Sequence, residues 1–368
     1  MKRFTSPSPR HILETKGVEF MIDVAPLREG DLPSFFGLLA DIYASDPARP
    51  QLLLGQVGLF LPFFHPVLYH VEYQLFLARE DKRPVGQVAA IVDKHYPDPK
   101  VGFFGLFEVT PNQEAAGKLL QAAGSWLAGR GKTVMLGPVA FNTNQKVGTL
   151  IQGFDHPPQP GLTYNPPYYQ ELLEGAGLAK EIDLLAYLWD PAQVNTAKIE
   201  RVARRARARI PGLALRRLSG SSLVREKRAL GEVYNRSLAA GWGFVPLTEK
   251  ELDAFVQGLA ARSQGIHLLA EVDQLPAGIS LSMPTSLSRR AAATSFRLAI
   301  LGVVPEYQSR GLAAVLFQET IQAYAKSGCR QVDISLVAEN NSLMNRVIEQ
   351  SATTTVARRY RVYRLALA

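Results

Sequence analysis

Residues 298–319 read LAILGVVPEYQSRGLAAVLFQE, and the most chemically suggestive spacing in the chain lies there. An apolar run closes at Val304-Pro305. A turn through Gln308, Ser309, Arg310 and Gly311 follows, and an apolar-periodic segment starts with Leu312 and Ala313. Strand, turn and helix are predicted in that order. The first four N–H groups of a helix have no intrahelical partner, and this first turn carries no acidic or hydroxyl side chain. Gly311 and Ala313 leave the backbone approachable, and the helix dipole adds roughly half a positive charge at that end. The N–H groups over 309–313 would therefore cradle a polyanion such as a pyrophosphate.

The elements that must hold this cradle recur in the chain. Of 368 residues, 47% are hydrophobic and 20% charged, a globular composition long enough for two domains. QLFLAREDKRPVGQVAAIV (74–92) and IHLLAEVDQLPAGISLSM (266–283) each read as two strands around a turn. Ala78, Pro84 and Gly86 match Ala270, Pro276 and Gly278 at one constant offset. An apolar run closed by proline follows in each half, then a helix ending at Gly, then a β-rich run. A duplicated unit results, with the linker near Asp190-Pro191 and domains at 21–190 and 191–368. The polar segment 1–20 is expected to be a flexible leader, and Met21 offers an alternative start.

Other features exclude or open further roles. No window has eighteen apolar residues without a charge, so no membrane span is expected. Cys329 is the one cysteine, which rules out an intrachain disulfide, fits a reducing compartment and reads as a core residue. The histidines His65, His70, His95, His156 and His267 show no metal-ligand spacing, and no metal is expected. Much of the net charge of +8 lies in KIERVARRARARIPG (198–212), an amphipathic helix with Ile199, Val202, Ala203, Ala206 and Ile210 on one face. It reads as a solvated face, and no aromatic interleaving supports nucleic-acid binding.

In this context the Q/R-x-x-G-x-G/A pattern at 308–313 resembles the acetyl-CoA loop of the GNAT acyltransferase superfamily. Nearly the whole chain after Met21 is similar to a bacterial tandem-GNAT family, through VGFFGLFE (101–108), LGPVAFNTN (136–144), GFDHPP (153–158), YNPPYYQELLEGAG (164–177), WGFVPLTEKE (242–251) and AENNSLMNRVIE (338–349). The resemblance implies an α/β fold of two tandem GNAT-like domains. Each would be a mixed, mostly antiparallel twisted sheet flanked by helices, with a splayed parallel strand pair. It implies a cytoplasmic protein with no metal that binds acetyl-CoA or another acyl-CoA in its C-terminal half. The pantetheine arm would lie between strands at 297–303 and 331–336, on the backbone of Leu301, Gly302 and Val303. Gln308, Ser309, Arg310, Gly311, Leu312 and Ala313 would hold the pyrophosphate, and Asn341 also fits the family pattern. The family's tyrosine general acid is replaced by Ile348, and its Gly-Phe pair by Ala352-Thr353.

The N-terminal half has a shorter loop with no Arg, and Glu114 stands where an anion would sit. That half is expected to be a degenerate scaffold without CoA. For the acceptor, Trp242 and Phe244 are expected over the site. An insertion at 140–169 offers Tyr164, Asn165 and Tyr168, together with the amides Asn142 and Asn144. Because an amine must lose a proton to attack a thioester, Glu339 is the first candidate for general base and Glu271 the second. The expected activity is acyl transfer, with acetyl as the first choice, to an amine of a small molecule. The alternatives are a non-catalytic acyl-CoA sensor and a Fem-like aminoacyl transferase. Monomer and homodimer stay open.

Overall fold

The computed structural model describes residues 21–46, 66–285, 293–351 and 354–368. The expected leader at 1–20, His65 and the Ala352-Thr353 pair lie outside the described residues. Among the described residues, fourteen strands form one sheet. They are β1 (Ile22–Pro26), β2 (Val71–Glu80), β3 (Arg83–Asp93), β4 (Val101–Val109), β5 (Val134–Ala140), β6 (Asn142–Val147), β7 (Thr149–Gln152), β8 (Ala179–Trp189), β9 (Leu213–Leu218), β10 (Ile266–Val272), β11 (Leu275–Pro284), β12 (Ser295–Val303), β13 (Gln331–Ala338) and β14 (Thr355–Ala366). The helices are α1 (Leu32–Ile42), α2 (Gln113–Ala128), α3 (Tyr169–Gly175), α4 (Thr196–Arg209), α5 (Ser221–Arg225), α6 (Lys227–Ser237), α7 (Glu249–Ala260), α8 (Leu312–Ser327) and α9 (Ser342–Ser351).

The repeat read from the sequence reappears as strand register. Ala78 faces Gly86 and Arg79 faces Pro84 across one hairpin. Ala270 faces Gly278 and Glu271 faces Pro276 across the other, and both ladders carry a bulge at that step. Both turns place two residues at positive φ, Asp81-Lys82 and Asp273-Gln274, as the right-handed twist of a tight hairpin requires. Gly86 and Gly278 serve the same packing. A Cβ at 86 would lie 2.7 Å from Leu119 of α2, and a Cβ at 278 would lie 2.8 Å from Leu316 of α8. Each long helix thus seats directly on its hairpin.

The halves exchange their last strands. Along the sheet the order is β1-β2-β3-β4-β5-β14-β8-β13-β12-β11-β10-β9. Strand β8, the end of the first half, pairs with β13, while β14, the end of the second, pairs with β5. Cores follow the same exchange: Tyr363 of β14 belongs to the N-terminal core around α2, and Tyr187 and Trp189 of β8 to the core around β12, β13 and α8. Within each half the two parallel neighbours part. Pairing between β4 and β5 runs from Val101 to Gly105, and between β12 and β13 from Ser295 to Leu298. Beyond those points no rung joins the parallel neighbours.

Candidate functional site

In the C-terminal half, β12 is paired on one side only beyond Leu298: Leu301, Gly302 and Val303 stand opposite Ser280, Ile279 and Gly278 of β11, and no rung joins them to β13. The strand then enters a single turn of 3₁₀ helix at Pro305–Tyr307. Gln308 turns back to donate from Nε2 to the Val303 carbonyl at 3.0 Å. Ser309 and Gly311 have φ of 60° and 89°, and α8 starts from Gly311 with no side-chain cap. Leu312 is buried, Ala313 is exposed, and the Arg310 guanidinium lies 5.6 Å from the Tyr307 ring. The open helix start expected from the sequence is present.

Gly311 has a second cause that the sequence did not reveal. The arginine-rich helix α4 lies along α8, and a Cβ at 311 would stand 2.9 Å from the Ala206 methyl. Helix α4 buries Ile199, Ala203 and Ala206, whereas Val202, expected on the buried face, is 39% exposed. Arg207 pairs with Glu319 at 2.5 Å.

The expected bases are otherwise engaged. Glu339 accepts from Lys180 at 2.8 Å and from the Asp183 N–H at 3.0 Å, so it ties β8 to the end of β13. Glu271 is held by the Arg216 fork through two bonds of 2.7 Å. Asn341 caps α9 through the Met344 N–H, and Ile348 is a buried core residue. Trp242 donates to Glu181 at 3.4 Å and packs on the same apolar cluster as Leu336 and Ala338, while Phe244 joins the C-terminal core beside Tyr234. Their loop docks on the insertion: Thr143 donates to the Gly243 carbonyl, and Asn144 donates to the Val245 carbonyl at 2.8 Å.

The N-terminal half closes its helix and opens its cleft. The Asn112 side chain accepts from the Ala115 N–H at 2.9 Å, so α2 is capped by its own chain. Glu114 pairs with Lys118 at 2.8 Å; the cap is Asn112, not the acid. Past the β4–β5 divergence lies a cavity of about 90 Å³ bordered by Tyr43, Glu108, Lys146, Thr149, Tyr164 and Tyr169. Tyr169 and Tyr43 donate to Glu108 Oε2 at 2.7 and 3.2 Å. Burial lifts the Glu108 carboxyl to about 7, against the two phenols and the Lys146 charge, which pull it down. Burial also lowers the Lys146 ammonium, with the Glu108 charge opposing. Directly across the ladder from Glu108, Gln87 is buried with both amide atoms unpartnered among the described residues.

The predicted acceptor residues divide between these places. Tyr164 borders the cavity and donates to Asp46 at 2.9 Å. Asn165 commits its amide to the Leu150 N–H and carbonyl, and Tyr168 donates to the Val109 carbonyl at 2.8 Å. Trp242 and Phe244 do not border this cavity. Tyr169, the last residue of the insertion at 140–169, also borders the cavity, whereas sequence reading missed Glu108, Lys146, Thr149 and Tyr43. The available signal was one carboxylate in the otherwise apolar run VGFFGLFEV. It also missed a cluster among the scattered histidines. His70 bonds Asp93 at 2.9 Å, lies 3.3 Å from Glu251, and stacks on His95 at 4.2 Å, and ligand atoms of His70, Asp93 and His95 lie within 4.8 Å of one another.

No family model matches the chain. "Bacterial ceramide synthase" of Caulobacter vibrioides is 29% identical, the match covering 94% of this chain and 98% of that protein. "Protein YghO" of Escherichia coli is 25% identical over 92% of this chain and 93% of its own length. Among solved structures, a tandem GNAT protein from the clavulanic acid biosynthesis pathway superposes with a TM-score of 0.54 at 13% identity, covering 95% of this chain and 99% of that one. A GCN5-related N-acetyltransferase from Sphaerobacter thermophilus gives 0.52 at 16% identity, covering 94% and 96%. Two long helices on two matched hairpins, two parallel pairs that lose their rungs and superposition over nearly the whole chain identify the fold as that of tandem GNAT proteins.

Proposed function

We propose that this chain is an acyl-CoA-dependent N-acyltransferase whose acceptor is the amine of a long-chain amino alcohol. The observation that carries the donor assignment is the continuous path from the half-paired edge of β12 into the uncapped start of α8. Backbone groups of β12 that face no β13 rung suit the amides of a pantetheine arm, apart from the Val303 carbonyl that Gln308 fills, and the helix start suits its pyrophosphate. In the transfer, the amine nitrogen attacks the thioester carbonyl, the C–N bond forms, and the C–S bond breaks. The proton lost by the amine balances the one gained by the departing CoA thiolate. A base or a water chain must take the amine's proton. The acceptor differs from the small amine expected from the sequence. A full-length relative bears the name ceramide synthase, and a ceramide is the amide of a long-chain amino alcohol. The apolar fringe around Trp242, Leu336 and Ala338 suits such a tail.

Gly311→Asp is a poor test, because any side chain at 311 meets α4. Ala313→Asp is the better one: the site is exposed on the first turn of α8, where an acid favours the helix yet repels phosphate. Purified protein is titrated calorimetrically with palmitoyl-CoA and with acetyl-CoA. Thiol release is then followed with sphinganine present, and the amide is weighed by mass spectrometry. Expected are one CoA site per chain, amide formation with palmitoyl-CoA, and at least tenfold weaker CoA binding in Ala313→Asp at unchanged melting temperature. Absence of CoA binding near millimolar concentration, or equal binding by the variant, refutes the donor site. CoA binding without amide overturns the transfer and leaves an acyl-CoA sensor.

A further inference from the structure

The N-terminal cleft holds two half-buried groups of opposite charge that form no ion pair with each other among the described residues. Glu108 Oε2 is occupied by Tyr169 and Tyr43, and Oε1 has no hydrogen-bond partner among the described residues. Lys146 borders the same cavity, and no ion pair joins it to Glu108 or to another carboxylate among the described residues. A half-buried cation and anion lining one cavity still attract each other, and a ligand with both charges can satisfy the two at once. Thr149 Oγ1, 1% exposed as a residue, also borders the cavity without a hydrogen-bond partner among the described residues. Such orphans are uncommon in native interiors. The missing partner must accept from Lys146 and Thr149 and donate to Glu108 within about 90 Å³.

We propose that this cleft binds a small zwitterionic α-amino acid, its ammonium group on Glu108 and its carboxylate on Lys146 and Thr149. The three donors and acceptors match that ligand's two ends, and the apolar wall from Leu39, Leu106 and Val139 suits a short side chain. The site is separate from the donor site. Strands β5, β14, β8 and β13 alternate antiparallel, so β4–β5 and β12–β13 run oppositely, with β14 and β8 lying between the two pairs. The assignment uses no group of β12 or α8, and its test without CoA stands or falls independently of the acyl transfer proposed above.

The test is titration of the full chain, at pH 7.5 and without CoA, with L-alanine, L-serine and L-phenylalanine. Ethanolamine and propionate serve as single-ended controls. Expected is saturable binding of L-alanine or L-serine at one per chain, at least tenfold tighter than either control. L-Phenylalanine should be excluded by size. Glu108→Gln and Lys146→Met should each weaken binding at least tenfold. Thr149→Val removes only the orphan hydroxyl; it should weaken binding several-fold with no fall in melting temperature, which keeps the test decisive if the charge variants misfold. Amino-acid binding no tighter than that of ethanolamine or propionate overturns the proposal. So does binding that a folded Thr149→Val or Glu108→Gln leaves unchanged.

Discussion

Glu108 places a titrating group where the fold gains nothing from its charge. Its carboxyl titrates at about 7 in the folded chain, against 4.5 for an ordinary one. A raised carboxyl binds its proton more tightly folded than unfolded. Its contribution is intact below pH 4.5 and is lost progressively as pH rises through 7. The full shift corresponds to about 3 kcal/mol. Glu108→Gln should then be the more stable protein at pH 8 by about 1–3 kcal/mol, with the advantage shrinking toward pH 4. Denaturant midpoints of both proteins between pH 4 and 8 measure this; parallel pH profiles would mean that Glu108 is not the buried acid. This residue was only half legible. A lone acid in an apolar strand announces that something is unusual, but its partners come from α1 (Tyr43 just beyond it), the insertion and α3, far apart in sequence. The strand, turn and uncapped helix start over 298–313 were legible because they are contiguous in sequence.

At the scale of elements, glycines separate into those that make room and those that only loosen. Gly278 lets α8 seat on the hairpin, and a β-branched side chain there meets Leu316 and the Gly302 carbonyl. Gly278→Val should cost about 1–3 kcal/mol, as overpacking does. Gly117 lies inside α2 with nothing within 4 Å of where a Cβ would stand. Gly117→Ala should stabilise by about 0.5–1 kcal/mol through helix propensity. Chemical denaturation of the pair checks both signs, and two losses of equal size would show that α2 cannot accept the methyl after all. The hairpins, their positive-φ turns and the helix stops could be read because each is fixed by neighbours within a few residues. The strand exchange could not. Strands β8 and β14 follow equivalent short helices, so nothing local says which strands each pairs with. The division expected at 190/191 falls just after β8, and strand pairing crosses it.

The whole molecule is joined by more than the exchanged strands. Arg297 and Arg358 donate to the Pro160 and Pro157 carbonyls, pinning the insertion onto the C-terminal sheet, and Arg358 also pairs with buried Asp333 at 2.7 Å. Elsewhere His70 stands between Asp93 of β3 and Glu251 of α7, one carboxylate from each half. Around them, Asn142 donates to Asp93, Thr248 to Glu251, and His95 stacks on His70. Burial pulls the His70 pKa down, but the hydrogen bonds and charges of Asp93 and Glu251 outweigh it and carry the ring from 6.5 up to about 9. A raised histidine stabilises the fold fully below pH 6.5 and loses that contribution as pH rises through 9. The shift corresponds to at most about 3 kcal/mol. Relative to His70→Gln, the wild-type chain should therefore be most favoured near pH 6 and should lose that advantage by about pH 9.5. Denaturation of both proteins across this range, read by a probe in each half, gives the answer. A constant difference would show that His70 bridges the halves as a neutral ring. A loss confined to one half's signal would show that the bridge does not couple them. The expected result is one cooperative transition whose midpoint falls with pH in the wild type and stays nearly level in the variant, because the same proton holds both carboxylates to one ring.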